Sequence, residues 1–262
     1  MTNDCVVAAL RRAGCVYAED EARMLCDAAA GRADVIDRLV ARRCAGEPLE
    51  HVVGYAELAG VRIAIRPGVF VPRRRSERLV RESAGLVARV ADRPPVVVDL
   101  GCGSGALLVA LLRLAPAGCV AYAIDSSPVA VDCARTNLSR AGVQVVHGTG
   151  LGALPSSVRG HVDVIMANLP YVPTAAIALL PREARLHEPR STLDGGPDGL
   201  IPLAGALAEA SAWLQPDGHY VGELHESQVA AATRLARRYG FDCVASSDPE
   251  DGTAVIDLSI RR

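Results

Sequence analysis

The sequence predicts an α/β protein built around a doubly wound, mostly parallel β-sheet. Between residues 96 and 167, short apolar runs rich in Val, Ala and Ile alternate with patterns of helical spacing, as in sheets whose strands are joined by helices. The run 96–100 leads into a glycine-rich turn at 101–105 and then into an apolar helix. The last two runs, 241–246 and 253–260, have no helix between them, which predicts an antiparallel pair at the edge of the sheet.

Length and composition fit one large core with a smaller appendage. The chain has 262 residues, half of them hydrophobic, so a sizeable core can form. Its formal net charge of −2 does not indicate an extended basic surface for binding nucleic acid. All 28 basic residues are arginine, which excludes a Schiff-base or P-loop lysine. The eight cysteines include no Cys-x-x-Cys pair. We therefore expect a cytoplasmic monomer without a metal site, a disulfide, a membrane span or direct contact with nucleic acid.

The order of elements along the chain follows from the same patterns. Apolar stripes at helical spacing predict three short helices over 2–45, and Ala59-Gly60 predicts the turn of a hairpin. Ser76 is placed to cap a helix that runs to about Val90, and Ser127-Pro128 opens another helix in the same way. We expect strands at 52–58, 61–65, 96–100, 119–125, 143–147, 162–167, 219–224, 241–246 and 253–260, and further helices at 104–114, 128–140, 203–214 and 226–239. The domains predicted from this order are a helical domain at 1–48, a hairpin linker at 49–75 and an α/β domain at 76–262.

The glycine turn is the first candidate site. Glycine lets the main chain approach a ligand closely, and the N–H groups at the start of the following helix face whatever is bound. Gly101, Gly103 and Ala106 also fit the dinucleotide fingerprint, so the turn alone leaves NAD and S-adenosylmethionine open. Asp125 ends the next strand and can accept hydrogen bonds from the ribose of either cofactor. Asp99 favours the second cofactor, because an acid there attracts a methionine ammonium and repels a pyrophosphate.

The run Asp99-x-Gly101-x-Gly103-x-Gly105 resembles the first motif of the class I methyltransferases. The resemblance implies a Rossmann-like sheet of seven strands with an antiparallel last strand. It also implies S-adenosylmethionine as methyl donor and S-adenosylhomocysteine as product. The small helical domain and the hairpin would be additions to that fold. Methyl transfer is therefore favoured over hydride transfer.

The second candidate site follows the strand at 162–167, where the chain reads Asn168-Leu169-Pro170-Tyr171. An amino group on an sp2 carbon is a poor nucleophile because its lone pair is delocalised. The side-chain oxygen of Asn168 and the main-chain carbonyl of Leu169 can accept its two N–H groups and aim the lone pair at a sulfonium methyl. The same bonds stabilise the positive charge that develops on the nitrogen, and Tyr171 can pack on the planar group. The motif therefore predicts methylation of such a nitrogen.

The two candidate sites belong to a longer series of motifs. The series comprises Gly46, Pro48-Leu49, Gly54, Phe70-Val71-Pro72-Arg73, Ser76-Glu77, the glycine turn, Asp125, Ala134, Asn137, Asn168-Leu169-Pro170-Tyr171, His187-Glu188-Pro189, the run 193–200, Glu223 and Gln228. From Gly46 onward the chain thus resembles the protein-(glutamine-N5) methyltransferases, the PrmC/HemK family. Members of this family modify a glutamine of bacterial release factors, and their sister enzymes act on a ribosomal protein.

The resemblance implies a role for each matched residue. One group would hold the cofactor, with the glycine turn at its methionine end and an acid at its ribose: Phe70, Pro72, Asp99, Gly101, Gly103, Gly105, Asp125, Thr149 and Asn168. A second group would form the catalytic slot for the substrate amide: Asn168, Leu169, Pro170 and Tyr171. A third would contact the protein substrate: Arg73, Asn168, Tyr171 and Glu188. For Glu188, contact with the substrate backbone and anchoring of its own loop are both open.

Two positions depart from the family pattern. Leu169 replaces the first proline of the usual Asn-Pro-Pro-Tyr, as in a PrmC-related subfamily whose protein substrate is not established, but it keeps the carbonyl acceptor. Thr149 stands where the family has an aspartate that faces the adenine amino group, and the lost charge is expected to weaken cofactor binding by about 1 kcal/mol. Three hypotheses stay open: methylation of a glutamine in a protein such as a release factor or a ribosomal protein, methylation of a small metabolite or nucleic-acid base, and a cofactor- or partner-binding protein with impaired catalysis.

Overall fold

A computed structural model of the protein describes residues 3–261. Its first three helices are α1 Asn3–Arg12, α2 Ala18–Ala29 and α3 Ala33–Cys44. Their apolar faces pack together in a core of their own that includes Leu10, Leu25 and Leu39, which confirms the predicted helical stripes. The guanidinium of Arg43, at the end of α3, binds Glu21 of α2 and also lies 3.3 Å from Glu183, far along the chain. The domain boundaries at 48 and 75 stay a prediction.

The hairpin is shorter than the sequence predicts. Helix α4 Leu49–Val53 occupies the start of the expected strand, because the chain forms a helical turn after Pro48 and leaves it at Gly54, where φ is 85°. Strands β1 Tyr55–Leu58 and β2 Val61–Ala64 then pair antiparallel. An extended segment and a single 3₁₀ turn connect them to helix α5 Glu77–Val87.

The central sheet has seven strands, as predicted. They are β3 Val96–Leu100, β4 Val120–Asp125, β5 Gln144–His147, β6 Val162–Ala167, β7 Leu214–His225, β8 Phe241–Asp248 and β9 Thr253–Ile260. Their order across the sheet is β5-β4-β3-β6-β7-β9-β8. Strand β9 runs antiparallel to both of its neighbours, and the other pairs are parallel. This confirms the antiparallel last strand and the predicted hairpin of β8 with β9.

Helices cover both faces of this sheet. Helices α5, α6 Ala106–Leu114 and α7 Pro128–Leu138 pack on one face, and α9 Ile201–Trp213 and α10 Val229–Arg238 pack on the other. The short helix α8 Arg182–His187 contributes no buried residue to either core. Neighbouring strand residues alternate between two cores: Val98 and Ile165 lie in one, and Val97 and Val164 in the other. Burial on both faces explains why the strands read as continuous apolar runs. In the described part of the chain, no helix combines the length and the apolarity that crossing a lipid bilayer requires.

The parallel register brings the candidate residues to one edge of the sheet. Leu100, the last residue of β3, pairs with Ile124 on β4 and with Ala167 on β6, and Ala167 pairs with Gly222 on β7. The residues that follow these positions therefore meet at the carboxyl ends of four adjacent strands. This edge is where ligands bind in doubly wound sheets.

Candidate active site

The glycine turn joins β3 to α6 at this edge. Gly101, Gly103 and Gly105 have φ between 55° and 77°, a backbone region that residues with side chains rarely adopt. The N–H groups of Gly101 and Cys102 both donate to the carbonyl of Ile124 at 2.9 Å, which fixes the turn against β4. A Cβ on Gly103 would meet no described atom within 4 Å. The main chain at this point is therefore open to a ligand.

Asp99 lies in β3, two residues before the turn. Its side chain is fully buried, and within residues 3–261 neither carboxylate oxygen has a hydrogen bond of normal geometry. Burial, with a further contribution from the charge of Asp125, raises the pKa of Asp99 to about 7. An unpartnered buried carboxylate is unfavourable, so the site is suited to a cationic group such as a methionine ammonium.

Asp125, at the end of β4, holds the same turn from the other side. One carboxylate oxygen accepts the N–H of Gly103 and the other accepts the N–H of Ser127, both at 2.8 Å. The side chain is half-buried, and a carboxylate has about four acceptor positions. Asp125 can thus order the turn and still accept ribose hydroxyls, although its ribose contact stays a prediction.

Thr149 lies exposed just after β5. The carboxylate next to this segment comes from another element: Glu209 of α9 accepts the N–H groups of Leu151 and Gly152 at 2.7 and 3.0 Å. A Cβ on Gly150 would lie only 2.7 Å from the Glu209 carboxylate. The motif around Thr149 does not indicate Glu209, because α9 is distant in the sequence from the segment after β5. The adenine contact of Thr149 stays a prediction.

Asn168 directly follows β6 and is half-buried. Its side-chain nitrogen donates to the hydroxyl of Ser76 at 3.1 Å and to Oε1 of Glu223 at 3.4 Å. In the described part of the chain, no hydrogen bond occupies the side-chain oxygen of Asn168 or the carbonyl of Leu169. Two adjacent acceptors are therefore left for a ligand. The predicted capping role of Ser76 is wrong, because its hydroxyl makes no cap hydrogen bond and contacts Asn168 instead.

Tyr171 is held by two charged side chains. Its hydroxyl donates to Oε1 of Glu223 and accepts from the guanidinium of Arg75, both at 3.1 Å. The guanidinium nitrogen Nε of Arg75 lies 3.6 Å from the same Glu223 oxygen. Burial, and then the charge of Glu223, raise the pKa of Tyr171 to about 12. The phenol is therefore neutral at ordinary pH and has a fixed position in the slot.

The segment 70–73 contacts the loop that contains Glu188. Arg73 pairs with the carboxylate of Glu188, and its guanidinium lies over the ring of Phe70, 5.0 Å from the ring centroid. Pro72, between them, is half-buried. Oε2 of Glu188 is buried and has no partner in residues 3–261, and burial raises the pKa of this carboxyl while Arg73 opposes the rise. Arg73 and Glu188 thus anchor each other, which supports the loop-anchoring role that the sequence left open for Glu188. The substrate contact of Arg73 stays a prediction.

The main chain after Asn168 is held by the glycine-rich run 193–200. The side-chain nitrogen of Gln228 donates to the carbonyls of Tyr171 and Asp198, both at 2.9 Å. Gly199 has φ of 77°, and a Cβ there would lie 2.2 Å from the Tyr171 carbonyl. Only glycine allows this close approach. Gln228 and Gly199 therefore hold the main chain of the slot in place.

Sequence reasoning identified most of the residues that meet here but missed several supports. The contacts join the predicted residues Asn168 and Tyr171 through Glu223, and they add Arg75 and Ser76 to the site. Glu223 and Gln228 appeared in the sequence only as motif matches without a role. The available signal was positional, because Glu223 lies near the carboxyl end of β7, and Asn168 follows the neighbouring strand β6.

The residues at this edge fit S-adenosylmethionine. The unpartnered carboxylate of Asp99 suits its ammonium, and the main chain at Gly103 leaves room for a ligand. Asp125, next to the same turn, has acceptor positions that suit ribose hydroxyls. A seven-stranded sheet of this order, with one antiparallel strand and this site, defines a class I S-adenosylmethionine-dependent methyltransferase.

Known proteins of similar sequence identify the family. Over 212 residues the chain is 36% identical to the release factor glutamine methyltransferase of Geobacter sulfurreducens, covering 80% of this chain and 72% of the relative. Over 202 residues it is 36% identical to the release factor glutamine methyltransferase of Gloeobacter violaceus, covering 75% and 68%. The chain belongs to the release factor glutamine methyltransferase family, as its motifs predict, and it is an enzyme that uses S-adenosylmethionine.

More distant comparisons support the fold. The family model of ribosomal protein L11 methyltransferase (PrmA) matches residues 86–192. The solved ribosomal protein L11 methylase of Lactobacillus delbrueckii subsp. bulgaricus superposes with a TM-score of 0.53 at 16% identity, over 76% of this chain and 86% of that one. The hMettl16 catalytic domain superposes with a TM-score of 0.60 at 14% identity, over 86% and 82%. These likenesses confirm the class I methyltransferase fold.

Proposed function

We propose that this enzyme methylates the side-chain amide nitrogen of a glutamine in a protein, and that the protein is a bacterial release factor. The main support is the pair of unoccupied acceptors, the side-chain oxygen of Asn168 and the carbonyl of Leu169. Further support comes from the relatives at 36% identity, which are named release factor glutamine methyltransferases.

The two acceptors match the chemistry of a primary amide. Such an amide has two N–H groups on one nitrogen and no basic lone pair. Asn168 and Leu169 are consecutive, so their oxygens can each accept one N–H and fix the plane of the group. A fixed orientation removes much of the entropic barrier to a reaction between two partners. Tyr171, held in place by Glu223 and Arg75, is placed to pack against the amide plane.

Charge development explains why acceptors are needed and a strong base is not. When bound, S-adenosylmethionine supplies an electrophilic methyl group on a positively charged sulfur. The substrate nitrogen gains positive charge as it bonds to that carbon, and hydrogen bonds to Asn168 and Leu169 strengthen as it does so. The methylated nitrogen is acidic and loses its proton to water. Tyr171 is not required as a base, which agrees with its pKa of about 12.

The other two hypotheses have less support. Leucine at 169 removes a proline ring but not the main-chain carbonyl, so the departure from Asn-Pro-Pro-Tyr leaves the acceptor pair intact. Relatives over most of the chain are named for release factors, whereas the ribosomal protein L11 model covers only residues 86–192. A release factor is therefore favoured over a ribosomal protein, a metabolite or a nucleic-acid base.

The test is methyl transfer with purified components. The enzyme is incubated with radiolabelled S-adenosylmethionine and, separately, with an unmethylated bacterial release factor, ribosomal protein L11 and transfer RNA. We expect label in the release factor alone, on one glutamine identified by mass spectrometry. The variant Asn168→Ala should lower kcat/KM by about 100-fold or more.

The control variant is Glu82→Gln, on α5 outside the site, where the carboxylate binds Arg78 and Ser246. It should transfer methyl groups at the wild-type rate. Label confined to ribosomal protein L11 or to transfer RNA would contradict the proposed substrate. Wild-type activity of Asn168→Ala would contradict the proposed acceptor pair.

A further inference from the structure

Glu223 is a buried carboxylate at the centre of the hydrogen bonds behind Asn168. Its side chain is 1% exposed, and it ends up beside Asn168 because β7 and β6 are adjacent and parallel. Its Oε1 accepts from the Tyr171 hydroxyl at 3.1 Å and from the Asn168 side-chain nitrogen at 3.4 Å, with Nε of Arg75 at 3.6 Å. Three donors therefore converge on one oxygen.

A carboxylate in this place determines which way the Asn168 amide faces. An asparagine amide can rotate by half a turn, which exchanges its oxygen and its NH₂ group. Ser76, the other partner of this nitrogen, cannot select one orientation, because a hydroxyl both donates and accepts. Glu223 can, because a carboxylate accepts only. The rotated amide would set an oxygen against Oε1 of Glu223 and lose that hydrogen bond.

The charge of Glu223 also acts through the amide. A hydrogen bond to an anion polarises its donor, and in a chain of hydrogen bonds each member strengthens the next. Polarisation at the Asn168 nitrogen makes its side-chain oxygen a better acceptor. The effect is directed at the substrate N–H, because the oxygen lies at the opposite end of the same amide.

We propose that Glu223 is the positioning residue of the site: it holds the side-chain amide of Asn168 in one orientation, oxygen toward the substrate, and strengthens that oxygen as an acceptor. Arg75 balances the buried charge of Glu223, and the Tyr171 hydroxyl donates to the same Glu223 oxygen as Asn168. The consequence for catalysis rests on the proposed amide methylation. The orientation of the Asn168 amide does not depend on that proposed function, and it can be measured without any substrate.

A double-mutant cycle tests the catalytic part with the release factor as substrate. In Asn168→Asp two carboxylates face each other, so kcat should fall by at least 100-fold. In Glu223→Gln the isosteric amide accepts either orientation of Asn168, so kcat should fall about 10-fold. In the double variant the new glutamine nitrogen donates to the new aspartate, whose second oxygen faces the substrate. The double variant should therefore be at least 10-fold more active than Asn168→Asp.

Two measurements accompany the cycle. The dissociation constant of S-adenosylmethionine for Glu223→Gln, measured by calorimetry, should stay within about twofold of the wild-type value. The variant leaves the glycine turn, Asp99 and Asp125 unchanged, and these would hold the methionine and ribose ends of the cofactor. A merely structural role would lower cofactor binding and kcat together. If the kcat losses of the two single variants multiply, so that the double variant is less active than either of them, the proposal is overturned.

The substrate-free measurement is the nuclear magnetic resonance of the Asn168 side-chain NH₂ in ¹⁵N-labelled enzyme, assigned by its loss in Asn168→Asp. We expect slowly exchanging signals in the wild type that shift and exchange faster in Glu223→Gln, and no change in Glu82→Gln. Unchanged signals in Glu223→Gln would overturn the proposal even if the release factor is methylated. The expected shifts in an enzyme that methylates no release factor would support the positioning role and refute the proposed substrate.

Discussion

The stability of the ligand-free Asp99→Asn variant, relative to that of the wild type, should increase as the pH rises. Asp99 is fully buried without a hydrogen-bond partner in residues 3–261, and burial raises its pKa to about 7. Asparagine has nearly the same shape and carries no charge. The variant therefore removes the unfavourable burial of a charge and leaves the packing of β3 in place.

The magnitude follows from the pKa. Between an unfolded value of about 4 and a folded value of about 7, the folded state binds more protons than the unfolded state, so wild-type stability falls as the pH rises through this window. Integrated from pH 5 to pH 8, the loss is about 3 kcal/mol, since each pKa unit corresponds to about 1.4 kcal/mol. Asparagine leaves its own amide unpartnered, which costs about 1–3 kcal/mol at every pH. The pH-dependent difference between the two proteins is therefore the quantity to measure.

Urea unfolding of both proteins at pH 5, 6, 7 and 8 gives this difference. We expect the unfolding free energy of Asp99→Asn minus that of the wild type to grow by about 3 kcal/mol across the series. The same variant should bind S-adenosylmethionine at least 10-fold more weakly, because the ammonium loses its partner. Wild-type binding at pH 6 should release a proton, seen as a dependence of the binding enthalpy on the buffer. Parallel stability curves for the two proteins would refute the reasoning.

Three further changes test other parts of the structure. Thr149→Asp should tighten S-adenosylmethionine binding about fivefold in calorimetry, since an anionic acceptor is stronger than a hydroxyl, and Thr149→Val should not. Asn137→Asp should lower the unfolding free energy by about 2 kcal/mol or more in urea, because its nitrogen donates to the carbonyls of Ala64 and Ser104 at 2.9 Å, which a carboxylate would repel. Asp163→Ala should lower it by about 2 kcal/mol, since buried Asp163 accepts two bonds from the exposed Arg93 and one from the main-chain N–H of Val96, which loses its partner, while kcat at low temperature stays unchanged.

Much of the fold was predictable because it depends on local pattern. Continuous apolar runs indicate strands buried on both faces, and Ser127-Pro128 marks a helix start, where the serine hydroxyl does accept a main-chain N–H in the structure. The boundaries were less predictable. The expected strand at 52–58 begins as the helix α4 instead. The apolar run at its start is too short for its hydrophobic pattern to distinguish a helical turn from a strand.

Only those parts of the site that are contiguous in the sequence were predictable. The glycine turn and Asn168-Leu169 are contiguous motifs, so their spacing carries the signal. Which distant side chains face each other depends on packing, and spacing does not encode it. The pairing of Arg73 with Glu188 could not be derived from the sequence, because each residue has several acceptable partners in isolation.

The unpartnered polar atoms of the protein indicate how the site is organised. Within residues 3–261, five buried side-chain oxygens lack a hydrogen bond, and four of them belong to the carboxylates of Asp99, Glu188 and Glu223. Such groups lower the stability of a folded chain. Glu188 and Glu223 are paired with Arg73 and Arg75, whereas neither oxygen of Asp99 has a partner. The uncompensated negative charge therefore lies at Asp99, beside the glycine turn. The stability lost there in the free enzyme is recovered when the cationic methyl donor binds.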